Sequence, residues 1–379
     1  MGFGEGAVED MAMSAAISPA FWRDKRVLLS GHTGFKGAWL TQWLYALGAK
    51  VTGISLPPAA KPNLYTEAEI GGLCESEFCD IRDASALIER VKISRPEIVF
   101  HLAAQPLVRA SYRKPRLTFE TNVMGTVHVL EALRGLAGVR VAVMVTTDKV
   151  YADRGGVGPY REDDALGGFD PYSASKAACE LAVGSYRDAF LAGQGVAVAS
   201  ARAGNVIGGG DWSEDRLIPD AVRAWQAGRA LEVRRPHAVR PWQHVLEPLA
   251  GYLTLAWRLW HQPALAGSYN FGPEISDSFA VRDVVEMARL AYGGGDVRYG
   301  DESAGPHESA SLTLDNSKAR VELGVAPILA LKQAMDWTIA WYRAHAGGAN
   351  ARRLCESNID EFTRHSLGQT APTALVAAI

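Results

Sequence analysis

The stretch Arg26-Val-Leu-Leu-Ser-Gly31-His-Thr-Gly34-Phe-Lys-Gly37 decides the fold. Its first five residues are typical of a short buried strand, its glycines predict a tight turn, and a helix to about Leu47 follows. A strand, a glycine turn and a helix in this order are the context in which such glycines bind a dinucleotide. The turn lets the backbone approach the pyrophosphate at the helix N-terminus. The alternative interpretation is a purely structural turn.

Further apolar runs alternate with helical patterns as far as residue 206. The runs are Lys50–Ser55, one that ends at Phe78–Ile81, Glu97–His101, Val141–Val145 and Val196–Ala201. This alternation predicts an α/β fold with a doubly wound parallel sheet, and the changed pattern after Trp212 indicates a smaller C-terminal α/β substrate domain. We expect a disordered lead over 1–20, a dinucleotide-binding domain over 21–205, a mainly substrate-binding unit over 206–367 that interleaves with it, and a flexible tail over 368–379.

Hydroxyl and charged residues follow the Val141–Val145 run directly. They are Thr147, Asp148 and Lys149. In open α/β sheets the chemistry takes place at the carboxyl ends of the strands, so these three side chains are candidates for contact with a reacting atom.

A second group of reactive side chains follows downstream. Tyr172 and Lys176 are spaced i, i+4, which puts them on one helix face if Pro171 opens that helix. Because an ammonium group beside a phenol favours the phenolate, we expect Tyr172 to act as a base well below its usual pKa of about 10.

The other strand ends carry possible cofactor contacts. Ser55 stands where an acidic residue would bind the ribose of NAD, and no adjacent arginine could hold a 2′-phosphate, so this position does not decide between NAD and NADP. Asp80 and Ile81 are placed to frame the adenine. The small residues within 102–105 would let the dinucleotide lie against the backbone.

Composition excludes several classes of partner. The net charge of −3 gives no basic stripe for nucleic acid and no polybasic segment for a membrane surface. No apolar run approaches the roughly 18 residues of a membrane span. The spacing of the cysteines fits neither a CxxC pair nor a disulfide framework, so we expect free thiols in a reducing cytoplasm. Residues 1–20 lack a basic start, which argues against a secretory signal.

Some polar and aromatic residues allow two interpretations. Tryptophans and arginines alternate over 212–260, where they could hold a sugar face and a diphosphate or could be core rings and a solvated face. We expect His101 to be a packed core histidine. Taken alone, Asn122 is a solvated or locally hydrogen-bonded residue of a long helix. Amphipathic helices are predicted over Asn316–Leu323 and Leu329–His345.

Several of these strings, from about Phe21 to about Asp360, resemble the NAD-dependent epimerase/dehydratases, which are extended short-chain dehydrogenase/reductases. Among them the chain is similar to the branch that dehydrates CDP-sugars. The strings are the Gly31–Gly37 turn, His101-Leu-Ala-Ala-Gln-Pro-Leu-Val-Arg109, Thr121-Asn-Val-Met-Gly-Thr126, Arg202-Ala-Gly-Asn-Val-Ile-Gly-Gly-Gly-Asp-Trp212, Arg216-Leu-Ile-Pro-Asp220 and Arg240-Pro-Trp-Gln-His-Val-Leu-Glu-Pro-Leu249. The resemblance implies a Rossmann domain that binds NAD.

The resemblance also implies a reaction, the conversion of CDP-glucose to CDP-4-keto-6-deoxyglucose. C4 is oxidised with NAD, water leaves across C5 and C6, and hydride returns to C6. Tyr172, with Lys176 and Thr147, would take the proton of the C4 hydroxyl. Asp148 would be the general acid at C6 and Lys149 the base at C5, although a structural salt bridge between these two side chains is an alternative role for Lys149.

The same resemblance implies ligand contacts, and it implies that Asn122 supports the catalytic residues from behind. The implied cofactor residues are Gly31, Thr33, Gly34, Phe35, Lys36, Gly37, Ser55, Asp80, Ile81, Leu102, Ala103, Ala104, Gln105, Asn122, Thr146, Tyr172 and Lys176. The implied substrate residues are Asn205, Arg216, Leu217, Arg240, Asn270 and His307. No metal site is expected.

The resemblance further implies a cytoplasmic homodimer or homotetramer that assembles through the helices of Asn122 and Tyr172. Such an enzyme would serve deoxysugar biosynthesis, for example for a lipopolysaccharide O-antigen. One alternative is a nucleotide-sugar epimerase, or a dehydratase of another nucleotide sugar; an epimerase would leave the Asp148–Lys149 pair without a role. Another is a non-catalytic cofactor-sensing scaffold, although such proteins usually lose the Tyr172–Lys176 pair.

Overall fold

A computed structural model describes residues 13–155, 158–275, 278–300 and 312–368. Its strands are β1 Arg26–Ser30, β2 Lys50–Ser55, β3 Glu75–Phe78, β4 Ile98–His101, β5 Val141–Val145, β6 Ala197–Ala203, β7 Val206–Ile207, β8 Leu231–Val233, β9 Val239–Pro241, β10 Gln243–His244, β11 Ser268–Phe271, β12 Ser278–Ala280 and β13 Val297–Tyr299. Its helices are α1 Pro19–Trp22, α2 Phe35–Ala46, α3 Leu64–Glu67, α4 Ala84–Ser94, α5 Val108–Arg113, α6 Pro115–Phe119, α7 Gly125–Leu133, α8 Pro171–Tyr186, α9 Leu217–Gln226, α10 Leu246–His261, α11 Val281–Tyr292, α12 Leu331–Ala346 and α13 Ala351–Ser366.

The central sheet contains seven parallel strands among the described residues, in the order β11-β6-β5-β4-β1-β2-β3. The chain builds outward from β1 to β3, crosses back to β4 on the other side of β1, and continues to β6 and β11. The carboxyl ends of β1 and β4 therefore flank the crevice where open α/β sheets bind ligands. The predicted doubly wound parallel sheet is confirmed.

Helices cover both faces of the sheet. One face packs against α2, α10, α12 and α13 through a core that includes Trp39, Trp43 and Phe362. The other packs against α4, α7 and α8 through Leu87, Leu130 and their neighbours. Central strands such as β5 are buried along their whole length, which explains their continuous apolar sequence.

The segment after residue 206 returns repeatedly to the first part of the chain. Its strand β11 extends the central sheet beside β6. Shorter strands form three separate pairs among the described residues, β7 with β10, β8 with β13 and β9 with β12. Residues 317–323 and α12 are helical, as predicted. Among the described residues there is no helix with the length and apolar character of a membrane span.

The N-terminal segment differs from the expected disordered lead. Residues 13–16 are helical, α1 follows, and Ala16 and Ile17 are buried in the core. The indole nitrogen of Trp22 donates to the Ala16 carbonyl at 2.6 Å, which ties the two turns together. Small apolar residues that look structureless in sequence are thus ordered by tertiary packing. Residues 1–12, and the tail after Gly368, lie outside the described residues.

Candidate active site

The position of Tyr172 is set by the start of α8. The Asp170 carboxylate accepts the Ser173 amide at 3.0 Å and the Ser173 hydroxyl at 2.6 Å, and Pro171 occupies the first helical position, as predicted. Tyr172 is 8% exposed and Lys176 is 5% exposed, one turn further on. Both line a cleft of about 1120 Å³.

The turn after β5 faces Tyr172 across this cleft. Thr147 begins a short 3-10 turn over Asp148–Val150, and its Oγ1 donates to Asp148 Oδ1 at 2.9 Å. Asp148 is 1% exposed, and its Oδ2 has no hydrogen-bond partner within the described part of the chain. Lys149 is half-buried and also lines the cleft. The structure therefore brings all five predicted catalytic side chains to one cavity.

The pKa of Tyr172 shifts opposite to our expectation. Burial raises the pKa of its phenol to about 12, against the lowering effects of its hydrogen-bonding contact with Thr147 and of the Arg216 charge. The expectation that Tyr172 has a pKa well below its usual value is therefore wrong. The Lys176 ammonium donates to the Val145 carbonyl at 3.2 Å. Burial also lowers the pKa of Lys176 itself.

The glycine turn after β1 leaves room for a ligand backbone. Gly31 has φ +85°, and a Cβ there would lie 2.7 Å from the backbone nitrogen of Ala103. A Cβ on Gly37 would overlap the carbonyl oxygen of Gly31, whereas Gly34 is exposed at the N-cap of α2. One side of the glycine turn is therefore packed closely against backbone atoms, and the other side is exposed at the N-terminus of α2. This shape and polarity fit the pyrophosphate of NAD.

Side-chain contacts hold the other strand ends along the cleft. Thr33 Oγ1 lies 2.7 Å from Ser55 Oγ and donates to the Leu56 carbonyl at 2.9 Å. Asp80 forms an ion pair with Arg82 at 2.5 Å, which lowers the pKa of the Asp80 carboxyl.

Two predicted contact residues do not line the cleft. Asn122 is buried behind it, where Oδ1 accepts the Gln105 amide at 2.8 Å and Nδ2 donates to Ser175 Oγ at 2.9 Å. It therefore holds the β4 turn against α8, and the interpretation as a solvated helix residue is wrong. Asn270 is fully buried, and Nδ2 donates to the Tyr160 and Asp315 carbonyls at 3.0 and 3.1 Å. Asn270 therefore holds the loops of these two residues together, and its prediction as a substrate contact is wrong.

The remaining predicted ligand residues that are described all line the cleft. They are Gly31, Thr33, Gly34, Phe35, Lys36, Gly37, Ser55, Asp80, Ile81, Leu102, Ala103, Ala104, Gln105 and Thr146 on the cofactor side, and Asn205, Arg216, Leu217 and Arg240 on the substrate side. His307 lies outside the described residues. His101 is a core residue, as expected, with Nδ1 2.6 Å from Ser30 Oγ.

Charged residues that the sequence analysis did not assign also line the cleft. Arg109 and Arg234 both pair with Asp215, at 3.3 and 3.5 Å, and Arg82 lies beside Asp80. Arg109 stands within one of the motifs that carry the resemblance, which was the available signal. Lys36 is half-buried, and burial lowers its pKa to about 8 with a further contribution from the nearby Arg216 charge.

The glycines 208–210 are explained by packing. A Cβ on Gly209 would overlap the indole of Trp341, and the carbonyl of Gly209 accepts the Trp39 indole nitrogen at 3.0 Å. Gly210 has φ +79°. The space beside Gly209 is therefore filled by a core tryptophan.

Comparison with known proteins is consistent with this architecture. Residues 27–261 match the family described as NAD dependent epimerase/dehydratase. CDP-glucose 4,6-dehydratase from Salmonella typhimurium strain LT2 is 42% identical over 352 residues, which cover 91% of this chain and 98% of that protein. A dTDP-glucose 4,6-dehydratase from Streptomyces venezuelae, solved with NAD bound, superimposes with a TM-score of 0.73 at 24% identity, covering 86% of this chain and 99% of its own.

Epimerases share the same fold. A UDP-glucose 4-epimerase from Thermotoga maritima, solved with UDP-glucose, superimposes with a TM-score of 0.73 at 20% identity, covering 84% of this chain and 99% of its own. At these identities the solved structures establish the fold alone, whereas the family match spans more than half of the chain. The protein therefore belongs to the NAD dependent epimerase/dehydratase family.

Proposed function

We propose that this protein dehydrates CDP-glucose to CDP-4-keto-6-deoxyglucose with NAD as its cofactor. The observation that carries the proposal is the 42% identity, over nearly the whole of both chains, to a CDP-glucose 4,6-dehydratase. The fold does not separate a dehydratase from an epimerase. The adjacent acid and amine at Asp148 and Lys149 favour a dehydratase, because elimination of water needs a proton donor and a base in addition to the groups that serve oxidation.

Tyr172 is the proposed base at the C4 hydroxyl of the sugar. The interaction of its phenol with the Thr147 hydroxyl lowers the pKa of Tyr172 and so favours the phenolate. Lys176 follows one turn later on α8 and lines the same cleft, where it is proposed to assist Tyr172. NAD, when bound, supplies the oxidation at C4 and the matching reduction at C6, so the cycle needs no external oxidant.

The elimination step is assigned to the turn after β5. Asp148 Oδ1 is occupied by Thr147, so Oδ2 is the atom available to carry a proton to the leaving C6 hydroxyl. Lys149 follows on the same turn and is the proposed base for the C5 proton, which the C4 ketone makes acidic. Burial of the turn keeps water away from both transfers.

Two groups of residues are proposed to hold the ligands. The Gly31–Gly37 turn, Thr33, Ser55, Asp80, Ile81 and the 102–105 turn would bind NAD. Arg216 and Arg240 would bind the diphosphate of the nucleotide sugar, because guanidinium groups match its oxygens in pairs. Asn205 and Leu217 would contact the remainder of the substrate.

We also propose a cytoplasmic homodimer that assembles through the helices of Asn122 and Tyr172. Large apolar side chains stand exposed on these helices and support such a contact: Phe119 at 40%, Met124 at 46% and Leu181 at 66%. Cys74, Cys79, Cys179 and Cys355 are free thiols, which suits a reducing compartment.

The test is incubation of the purified protein with NAD and CDP-glucose in deuterium oxide, followed by mass spectrometry and NMR of the sugar. The proposal expects loss of one water, a 4-keto product and deuterium at C5. An unchanged or merely epimerised sugar would contradict it. UDP-, GDP- and dTDP-glucose, assayed in parallel, test the preference for cytosine.

A further inference from the structure

A buried ion pair lies directly behind the proposed catalytic groups. Glu180 and Arg202 are joined at 2.8 Å, and their side chains are only 2% and 3% exposed. Glu180 stands one turn after Lys176 on α8, and Arg202 is on β6. The proposed chemistry assigns neither residue a role. A fully buried pair is costly to desolvate, so its place beside the reacting groups needs a reason.

Glu180 connects α8 to the catalytic end of β5. Its Oε1 accepts the hydroxyl of Thr146 at 2.5 Å, and Thr146 directly precedes Thr147 and Asp148. Its Oε2 accepts Ser200 Oγ at 2.6 Å as well as Arg202. One carboxylate thus joins the helix that carries Tyr172 to the strand end that carries Thr147.

Arg202 connects the same pair to the far end of the catalytic turn. Its guanidinium donates to the hydroxyl of Tyr151 at 2.9 Å and to the Glu162 carbonyl at 3.0 Å. Tyr151 immediately follows the 3-10 turn of Asp148–Val150, and its own hydroxyl donates to Asn270 Oδ1 at 2.6 Å. The segment of residues 146–151 is therefore held at both ends by one ion pair.

We infer that Glu180 is a positioning residue of the active site, with Arg202 as its partner. Glu180 holds Thr146 and Arg202 holds Tyr151. The residues between them, Thr147, Asp148 and Lys149, are thereby kept facing Tyr172 at the distances that the reaction needs. The inference rests on the proposed function, since it concerns the same site. Positioning of this kind acts on the rate of the chemical steps more than on substrate binding.

The test separates the link to β5 from the remainder of the network. In Thr146→Val the hydroxyl is lost but the shape is kept, and Glu180 retains its contacts to Arg202 and Ser200. Thr146→Ser keeps the hydroxyl and is the rescue variant. Ser268→Ala is the matched control, because Ser268 Oγ also donates to Glu180, at 3.3 Å, but belongs to β11 and does not touch the catalytic turn.

The measurements are kcat, KM for the nucleotide sugar and for NAD, and amide hydrogen exchange of the peptides that contain residues 146–151. We expect kcat of T146V to fall at least ~10-fold with both KM values within ~2-fold, and exchange over 146–151 to accelerate. S268A should keep kcat near the wild-type value, and T146S should recover at least part of the kcat that T146V loses. A T146V enzyme with unchanged kcat or with unchanged exchange would overturn the inference, as would equal loss of kcat in S268A.

Failure of the inference can be told apart from failure of the proposed function. If the wild-type protein does not convert CDP-glucose, the proposed substrate is wrong, and the variants are compared on whichever nucleotide sugar it does convert. Hydrogen exchange needs no substrate. If amide exchange over 146–151 were as slow in T146V as in the wild type, the inference would be contradicted even without any turnover.

Discussion

At the level of single residues, the two carboxylate oxygens of Asp148 have different surroundings. Oδ1 accepts the Thr147 hydroxyl, whereas Oδ2 has no partner among the described residues and is buried. Tyr172 reaches the same cavity from α8. In the proposed mechanism the phenol takes the proton of the C4 hydroxyl, and the carboxyl donates a proton to the leaving C6 hydroxyl. The two side chains therefore act in separable steps.

The first prediction separates these steps. Tyr172→Phe should lower kcat by at least ~100-fold without any build-up of reduced cofactor, because the C4 hydroxyl keeps its proton and oxidation does not begin. Asp148→Asn should also lower kcat but should leave oxidation possible, so that reduced cofactor accumulates. Ultraviolet absorbance of the cofactor during a single turnover distinguishes the two variants.

A control for the loss of a carboxylate is Asp163→Asn. Asp163 is exposed and does not line the cleft, so its amide variant should react like the wild type. If the Asp148 variant dehydrated the substrate at the wild-type rate, another side chain would be the acid at C6.

Residue roles were predictable from the sequence only where they depend on local spacing. The i, i+4 relation of Tyr172 and Lys176, and the place of Asp148 after a buried strand, both follow from secondary structure. The burial of Asn122 and Asn270 and the raised pKa of Tyr172 depend on distant segments packed around them. Such contacts leave no periodic signal in the sequence.

At the level of elements, α10 begins with a buried carboxyl that another segment covers. Glu247 Oε1 accepts the backbone amides of Ile328 and Leu329 at 3.0 and 2.6 Å, so it fixes the loop before α12. Burial raises the pKa of Glu247 from 4.5 to about 7, although the two amides oppose that shift. The helix start is therefore sensitive to pH.

The second prediction concerns this carboxyl. Between about pH 4.5 and pH 7 the folded state keeps a proton that the unfolded state has released, so the free energy of unfolding falls as pH rises through this window. Glu247→Gln should remove that decline, which amounts to at most about 3 kcal/mol. Urea unfolding of both proteins at several pH values measures it.

Glu89→Gln, on the exposed side of α4, is the control and should keep the wild-type pH dependence. Parallel stability curves for the wild type and the Glu247 variant would show that this carboxyl has the same pKa in the folded and unfolded states.

Elements with a clear apolar pattern in the sequence were predicted well. The strands β1, β2 and β5 have the bounds that their apolar runs indicate. The ordered segment before β1 was missed. Its small residues carry weak propensity, and its order comes from Ile17 and Trp22 packing into the core.

At the level of the whole molecule, the exposed apolar side chains on α6, the adjoining π-helical turn and α8 lead to the third prediction. Leu181→Asp should convert the proposed homodimer to a monomer, because each copy of a symmetric interface would bury an unpaired carboxylate. Light scattering after size-exclusion chromatography measures the mass.

Ile93→Asp is the matched control for that experiment. Ile93 is 71% exposed on α4, which is not one of the helices of the proposed interface, and its variant should keep the wild-type mass. A Leu181 variant that remains a dimer would place the interface elsewhere.

The contact between Trp341 and Gly209 has a consequence for the order in which the protein is completed on the ribosome. Trp341 covers Gly209, and the adjacent Tyr342 hydroxyl donates to the Asp211 carbonyl at 2.5 Å, a few residues before Arg216. Of the described residues that line the cleft, the last in the chain is Leu312. A nascent chain therefore emerges with these cleft residues already made, and with the loop before Arg216 still lacking its cover. Trp341 and Tyr342 can cover this loop only after α12 has left the exit tunnel. The residues that line the cleft are therefore synthesised before the site can be completed.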